Sequence, residues 1–360
     1  MPTHRLDPAA LDHAFAVAAR QVEDGTVPFV ILGVGNAAGT IRLEAVPPKD
    51  GTPLGPAAVC LLASITKPIV TTAVMRLVQD GRFSLTAPLA TWLPELADAG
   101  HPPITAWHVL THTTGLGEVA VEGLLLGGGD RAELLRRTLA LPQEAPLGSR
   151  FQYVTCTWEL LAGAVERATG KGLDQVLREQ VLDPLGMVDT VFDPRIDHAA
   201  RRAPVRVGDW DSGPLTDALD PALVEMLVGG YIGLRMAGGG LWSTAADLLR
   251  FGRAMLGGGE LDGVRVLAPA YVDLMTREIT VGGLGAAADR MLDEHYTIGW
   301  GKRGAASPAS ASSFGHSGMS GTRLWIDPDH DLVIVYLTGV WGLPDEPIDA
   351  ALNAVYAAVR

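Results

Sequence analysis

A serine and a lysine three residues apart constrain this chain more than any other feature of its sequence. Ser64 and Lys67 stand at the head of an apolar segment, 63–81, whose apolar residues recur with the 3.6-residue period of a buried helix. Gly81 is a helix stop signal, and Pro68 fits only in a first helical turn, so the helix is predicted to begin near Ser64. Positions three apart share a helix face, so the hydroxyl group and the amine are predicted to lie in contact.

The context of this spacing makes it informative. Eleven Ser and four Lys residues in 360 positions give only about 0.1 matches by chance, and a helix-capping serine beside a solvated lysine is the alternative to be weighed. The chain uses 24 Arg but four Lys. Because lysine can lose its proton and arginine cannot, a lysine here indicates a titratable amine. The free N–H groups of a helix start add an anion site to this nucleophile and base.

Composition restricts the class of protein. A length of 360 residues with 48% hydrophobic content allows one large domain or two, with a sizeable core. The net charge of −13 argues against nucleic acid and against anionic membrane surfaces as partners. Residues 1–25 lack the continuous apolar stretch of a signal peptide, and no run reaches about 18 uncharged apolar residues. We therefore expect a soluble, cytoplasmic protein.

Cysteine and histidine usage gives no indication of a metal centre. The two cysteines, Cys60 and Cys156, form neither a disulfide framework nor a metal-binding cluster, which favours buried thiols in a reducing compartment. The nine histidines include no His-Glu-x-x-His pair. No metal ion is expected.

Strand and helix patterns follow an order that predicts an α+β fold. Helical patterns occupy 8–24 and 347–359, and strand patterns occupy 29–36, 40–46, 295–304, 312–319, 322–328 and 332–339. We predict an antiparallel β-sheet flanked by N- and C-terminal helices and built from residues 8–85 and 293–360. A large, mostly helical domain is inserted at 86–292, with the active site at the interface of the two domains.

Two further stretches carry side chains suited to the same site. Tyr153 and Thr155 stand just before an apolar helical run; a tyrosine at such a position is more often a packing residue. The stretch 314–322, FGHSGMSGT, has glycines that permit close approach of a strand to a ligand, and it could equally form a bulge and a hairpin turn. Neither Ser317 nor Ser320 completes a Gly-x-Ser-x-Gly elbow, so an α/β-hydrolase interpretation has no nucleophile here.

Taken together, these stretches resemble the serine β-lactamase and penicillin-binding-protein superfamily. The similarity is to its class C β-lactamase-like branch, which also holds family VIII carboxylesterases, transesterases and D-aminopeptidases. Ser64 to Lys67 resembles the branch's S-x-x-K motif, 151–155 its F-x-Y-S-N motif, and 316–318 its K-T-G triad. Three non-catalytic stretches are also similar to the family, at 109–116, 184–192 and 238–251.

The resemblance implies acyl transfer through a covalent acyl-enzyme without a cofactor. Ser64 would be the nucleophile, activated by a pair formed by Lys67 and Tyr153, with the choice of formal base left open. The backbone N–H groups of Ser64 and Met319 would bind the oxyanion. The residues implied to line the pocket and orient substrate are His316, Ser317, Gly318 and Thr155.

Two departures from the family pattern weigh against β-lactams with amide side chains and make the chain more similar to the family's peptidases and esterases. Thr155 replaces an Asn whose amide both donates and accepts hydrogen bonds, and a hydroxyl group cannot copy that pair. His316 replaces a permanently charged Lys that helps to hold a β-lactam carboxylate. We therefore predict a carboxylesterase, with possible transesterase activity, that acts on small esters.

Two alternatives stay open. The first is a D-amino-acid peptidase or β-lactamase acting on D-peptide or β-lactam amides. The second is a non-catalytic sensor domain of penicillin-binding type, against which the three occupied motif positions count. In the catalytic interpretations the partner is a small-molecule ester or amide, and the sequence leaves the oligomeric state open.

Overall fold

Both ends of the chain contribute to one antiparallel sheet. The computed structural model describes residues 6–207, 219–277, 279, 296–302 and 307–360. Its strands are β1 (Val30–Asn36), β2 (Gly39–Val46), β3 (Cys60–Leu61), β4 (Arg206–Val207), β5 (Trp242–Ser243), β6 (Glu260–Leu261), β7 (Val264–Arg265), β8 (Phe314–Gly318), β9 (Thr322–Asp327), β10 (Leu332–Leu337) and β11 (Val340–Trp341). The main sheet has the order β2-β1-β10-β9-β8, and every neighbouring pair is antiparallel.

Helices surround this sheet and fill the middle of the chain. They are α1 (Pro8–Glu23), α2 (Thr66–Gln79), α3 (Glu95–Asp98), α4 (Ala106–Leu110), α5 (Glu122–Gly127), α6 (Arg131–Leu139), α7 (Trp158–Thr169), α8 (Leu173–Leu177), α9 (Asp183–Leu185), α10 (Pro221–Leu234), α11 (Ala245–Leu256), α12 (Pro269–Thr276) and α13 (Asp345–Tyr356). A 3-10 turn, Ala63–Ile65, leads into α2, and a π-helical turn, Arg178–Leu182, joins α8 to α9. Among the described residues, no helix is both long and apolar enough to span a lipid bilayer.

The two central strands are covered on both faces. All six residues of β10, LVIVYL, are buried, because α1 and α13 pack on one face of the sheet and α11 packs on the other. In β1, Ile31 pairs with Leu337 of β10, and its side chain joins the core on the α11 side. This larger core continues without a break into α2, α4 and α7. The sheet and α2 therefore form a common support for the residues that join them.

The N-terminal and C-terminal elements agree closely with the sequence patterns. The predicted α+β fold, with an antiparallel sheet flanked by the terminal helices, is confirmed. The side chain of Asp7 accepts two backbone N–H groups and Pro8 occupies the first turn, which fixes the start of α1. The final helix begins at Asp345, two residues before the predicted start, with acidic side chains in its first turn, and it ends three residues early at Tyr356.

The strand predicted at 295–304 is wrong where the structure describes it. Residues 296–302 form only isolated bridges, between Tyr296 and Gly301 and between Gly301 and Gly315. Gly299 has a φ of +76° and turns the chain back on itself, which an extended strand cannot accommodate. Residues 295, 303 and 304 of that predicted strand lie outside the described residues.

The division into two domains remains a prediction. Helix α11 belongs to the segment 86–292 that was assigned to the inserted domain, yet it packs against β1, β9 and β10 of the sheet. Residues 208–218, 278 and 280–295, which fall in or beside that segment, lie outside the described residues.

Candidate active site

Ser64 lies where a strand ends and a buried helix begins. Strand β3 runs into the 3-10 turn Ala63–Ile65, and α2 follows directly at Thr66. Ala63 has a φ of +46°, in the left-handed region that side chains other than glycine rarely adopt. Strain of this kind persists only where the surrounding structure imposes it, and it is concentrated at functional sites. The turn leaves Ser64 partly exposed, while the residues on either side of it are buried.

The predicted contact between the serine and the lysine is present. The Lys67 Nζ atom lies 3.1 Å from the Ser64 Oγ atom. It also donates to the Gly238 carbonyl oxygen at 2.7 Å and to the Thr155 Oγ1 atom at 3.3 Å. The amine therefore touches three oxygen atoms from three separate parts of the chain.

Burial controls the protonation of this amine. The Lys67 side chain has no solvent-exposed surface. Burial lowers the pKa of Lys67 to about 7, and the negative charge of Glu118 partly opposes the shift. Near neutral pH a substantial fraction of the amine is thus uncharged, with a lone pair able to accept a proton from Ser64.

Tyr153 presents its hydroxyl group to the same serine. The ring is partly exposed, but the hydroxyl oxygen is buried and has no well-formed hydrogen bond to any described residue. Burial raises the pKa of Tyr153 well above its usual value, and the proximity of Ser64 only partly offsets that rise. The Lys67 Nζ atom lies 4.7 Å from the centre of the tyrosine ring. The phenol is therefore protonated and available as a donor.

His112 holds Tyr153 in place, a contact that the sequence analysis did not identify. Its ring stacks on the Tyr153 ring with centroids 4.3 Å apart. Its Nδ1 atom accepts the Val154 N–H at 3.1 Å, and its carbonyl oxygen accepts the Gln152 N–H at 2.8 Å. His112 itself has a φ of +54°. Its position inside the family-like stretch 109–116 was the available signal, although that stretch was interpreted as non-catalytic.

Two residues of the pocket wall, Ser64 and Met319, have backbone N–H groups without an acceptor in the described part of the chain. The two segments that carry them are tied together, because the Ser320 hydroxyl donates to the Leu61 carbonyl at 2.6 Å and the Thr322 hydroxyl donates to the Leu62 carbonyl at 3.0 Å. Ser64 and Met319 both line the cavity, so their N–H groups are the candidates for the two donors of an oxyanion site.

Strand β8 and the segment around Leu62 pack so closely that position 318 must be glycine. A Cβ atom there would lie 2.2 Å from the Leu62 carbonyl oxygen and 2.2 Å from the Thr322 Oγ1 atom. The same end of β8 places Ser317 at the pocket wall, partly exposed. Strand β8 therefore approaches the 3-10 turn as closely as backbone atoms allow.

His316 is neutral and has a defined tautomer. Its Nδ1 atom lies 2.7 Å from the Ser317 carbonyl oxygen, which can only accept, so Nδ1 carries the proton. Its Nε2 atom is then the acceptor for the Tyr296 hydroxyl at 3.2 Å. Burial, together with the nearby Lys67, lowers the pKa of His316 to about 3. The position therefore supplies no positive charge at neutral pH.

Six of the eight predicted site residues line one cavity of about 350 Å³, and Lys67 and Gly318 lie outside its lining. Ser64, Tyr153, Thr155, His316, Ser317 and Met319 all line it. Most of the remaining wall is apolar or glycine and comprises Ala63, Val119, Val121, Cys156, Tyr231, Met236, Gly239, Gly301, Gly315, Trp325 and Trp341, with Glu118 as the exception. Within the described residues, no group of three His, Cys, Asp or Glu side chains is placed to hold a metal ion.

The glycine run 238–240 is a second feature that sequence reasoning missed. Its first member supplies the shortest hydrogen bond of Lys67, and the Gly239 carbonyl accepts the Tyr231 hydroxyl at 2.8 Å. A Cβ atom at Gly239 would lie 2.7 Å from that hydroxyl oxygen. The place of the run in the family-like stretch 238–251 was the available signal.

Comparison with known proteins agrees with this geometry. The Beta-lactamase family model matches residues 18–358. An uncharacterized protein of Mycobacterium tuberculosis is 32% identical over 346 residues, covering 84% of this chain and 82% of that protein. Esterase EstB of Burkholderia gladioli is 36% identical over 231 residues, covering 56% of this chain and 58% of the esterase.

A solved structure extends the similarity over the whole fold. The crystal structure of a family VIII carboxylesterase superposes with a TM-score of 0.79 at 20% identity, covering 98% of each chain. The family model and the Mycobacterium relative each span most of the sequence. The chain therefore belongs to the beta-lactamase family of serine hydrolases.

Proposed function

We propose that the protein is a carboxylesterase that hydrolyses small esters through an acyl-enzyme on Ser64. The observation that carries the proposal is the fully buried Lys67 amine, 3.1 Å from the Ser64 hydroxyl, with a pKa lowered to about 7. A base whose pKa lies near the working pH is unprotonated in a large fraction of the molecules and is still basic enough to take the serine proton.

The reaction starts with the attack of Ser64 on the ester carbonyl carbon. As the Oγ–carbon bond forms, the serine proton moves to Lys67, and the carbonyl oxygen becomes an oxyanion bound by the N–H groups of Ser64 and Met319. Tyr153 acts as the acid rather than the base, because its raised pKa keeps it protonated. When the carbon–oxygen bond to the alcohol breaks, Tyr153 gives its proton to the departing oxygen, and Lys67 returns a proton to Tyr153.

Water completes the cycle. A water molecule attacks the acyl carbon and gives a proton to Lys67. The carbon–Oγ bond then breaks, Oγ takes that proton back from Lys67, and the carboxylic acid leaves the regenerated Ser64. An alcohol in place of the water would give a transesterase reaction through the same intermediate. Thr155 and Gly238 hold the Lys67 amine by hydrogen bonds and so keep its lone pair aimed at the serine.

The choice of ester over amide is supported by the pocket wall. His316 is neutral and hydrogen-bonded to Tyr296, so it offers no fixed charge to a carboxylate. Thr155 uses its hydroxyl as an acceptor for Lys67 and presents no amide to a substrate side chain. A simple ester needs only the nucleophile, the two N–H donors and an apolar acyl site. The similarity to esterase EstB supports the same choice.

The test is a panel on one preparation. We expect p-nitrophenyl butyrate to be hydrolysed with a kcat/KM at least a hundredfold above that of a chromogenic cephalosporin or a D-alanyl amide, since two missing hydrogen bonds cost about one to two decades each. The Ser64→Ala variant is the control for every substrate. Faster turnover of the amide or the cephalosporin would establish the peptidase or β-lactamase alternative instead. Absence of turnover with all three substrates would favour a sensor domain.

A further inference from the structure

The cavity beside Ser64 carries one charged side chain among its described lining residues. Glu118 lines the wall, and its side chain is exposed toward the cavity. His316, the lining residue that could have carried a positive charge, is neutral. Lys67 lies behind Ser64, fully buried, and does not line the cavity. A substrate group in the cavity therefore experiences a negative wall.

The carboxylate of Glu118 is fixed by the backbone. Its Oε2 atom accepts the Thr155 N–H at 2.5 Å, and its Oε1 atom accepts the Cys156 N–H at 2.9 Å and the Val119 N–H at 3.2 Å. Two of these donors, the Thr155 and Cys156 N–H groups, stand just before α7, where the helix dipole favours negative charge. Donation by three N–H groups is the arrangement of an ionised carboxylate, which accepts and does not donate.

Within the described residues, neither Arg nor Lys forms an ion pair with Glu118. Its negative charge raises the pKa of the nearby Lys67. The three backbone donors and the adjacent Cys156 thiol contact the carboxylate without neutralising its charge. That charge therefore acts on a substrate group in the cavity.

Two aromatic residues of the cavity wall also suit a positive group. Tyr231 and Trp341 line the same cavity, with ring centroids 5.5 Å apart in an edge-to-face arrangement. Aromatic faces attract a quaternary ammonium and do not attract a carboxylate. Glu118 and the two aromatic rings therefore both favour a positive group over a carboxylate.

We infer that Glu118 sets the charge preference of the site, so that Ser64 takes esters whose acyl chain is neutral or positively charged and rejects those that end in a carboxylate. This inference rests on the proposed esterase function and specifies its substrate class. Glu118 repels a carboxylate that lies beside it, and it attracts an ammonium group in the same place.

The experiment uses three p-nitrophenyl esters of matched acyl length, ending in a tert-butyl, a trimethylammonium or a carboxylate group. We expect kcat/KM to follow the order cationic, neutral, anionic, with the anionic ester at least about tenfold below the neutral one. Glu118→Gln keeps the size of the side chain and should cut the neutral-to-anionic ratio of kcat/KM by about tenfold. The ratio is compared within each variant, because Glu118 also accepts the Thr155 N–H and raises the pKa of Lys67, so absolute rates change with it. Glu144→Gln is the matched control, because Glu144 lies against Gly117 but does not line the cavity.

A second measurement needs no variant. Discrimination by the native protein should shrink as salt is raised from about 0.01 M to about 0.5 M, because salt screens exposed charges. Equal rates for the neutral and anionic esters, or discrimination that Glu118→Gln and salt leave unchanged, would overturn the role of Glu118. Turnover of the neutral ester tests the proposed function separately, so the two ideas fail on different substrates.

Discussion

At the scale of single residues, burial sets the two protonation states that the mechanism needs. Lys67 and Tyr153 contact the same serine, and burial lowers the pKa of the first while raising that of the second. Near neutral pH the Lys67 amine can therefore accept a proton, while the Tyr153 phenol keeps its own. His112 contributes through position alone, since its own pKa is lowered well below the usual range by burial and by Lys67.

The lowered pKa of Lys67 predicts the pH dependence of the rate. Since the neutral amine is the base, kcat/KM for a neutral ester should rise with pH through an ionisation near 7 and then level off. Lys67→Arg should lose activity almost as completely as Lys67→Ala, because Arg stays protonated. A flat profile between pH 6 and about 8, or an active Arg variant, would assign the base to another group.

The same shift has a thermodynamic consequence that is independent of catalysis. Between a folded pKa of about 7 and an unfolded value near 10.5, the unfolded chain binds more protons, so this group makes the protein more stable as pH rises through that window. Lys67→Met removes the buried amine, and its gain in unfolding free energy should be larger at pH 6 than at about pH 10. Urea titrations of both proteins at the two pH values measure the difference. A gain that does not depend on pH would contradict the shift.

His112 is predicted to act as a positioning residue for Tyr153. His112→Ala removes the stacked ring and the acceptor of the Val154 N–H, and kcat should fall roughly tenfold to a hundredfold with little change in KM, because small misplacements of catalytic groups are costly. His112→Asn should recover part of kcat, since Asn tolerates the left-handed conformation and offers an acceptor. A purely structural role would instead lower stability in both variants and leave kcat of the folded protein unchanged.

At the scale of secondary-structure elements, the site depends on how closely β8 approaches the start of α2. The contact is made by backbone and hydroxyl groups, with Ser320 and Thr322 donating to the carbonyls of Leu61 and Leu62. The sequence predicted both elements from local patterns: a 3.6-residue period for α2 and glycine-rich strand signals for β8. It could not predict the contact, because residues more than 250 positions apart leave no periodic signal.

Gly318→Ala tests that approach. The added methyl group would overlap the Leu62 carbonyl oxygen, so β8 must move; we expect a loss of roughly 1–3 kcal/mol in the free energy of unfolding and a fall in kcat. Gly172→Ala is the control, because a Cβ atom there meets nothing within 4 Å and the backbone φ is −64°. The control should stay within about 1 kcal/mol of the parent. Equal behaviour of the two variants would show that the close approach is not required.

At the scale of the whole molecule, the predicted sheet and terminal helices match the structure because strong local periods and turn residues specify them. The residues that complete the site were harder to find. Gly238 lies 171 positions from Lys67, and its contribution is a backbone carbonyl, which no side-chain motif can reveal. Glu118 acts through its charge in a cavity that exists only after folding. The incorrect strand at 295–304 had a suitable composition but contained the turn at Gly299.

The central claim is that Ser64 carries the acyl group, and peptide mass spectrometry after reaction with a fluorophosphonate or a slowly released ester tests it most directly. We predict a single adduct on Ser64, none in Ser64→Ala, and unfolding of that variant within about 1 kcal/mol of the parent, because Ser64 is partly exposed and its side chain caps neither the 3-10 turn nor α2. Ser320 should stay unlabelled because its hydroxyl is buried and donates to the Leu61 carbonyl. An adduct on Ser317 or Ser320 with Ser64 unmodified, or undiminished ester turnover by Ser64→Ala, would contradict the account.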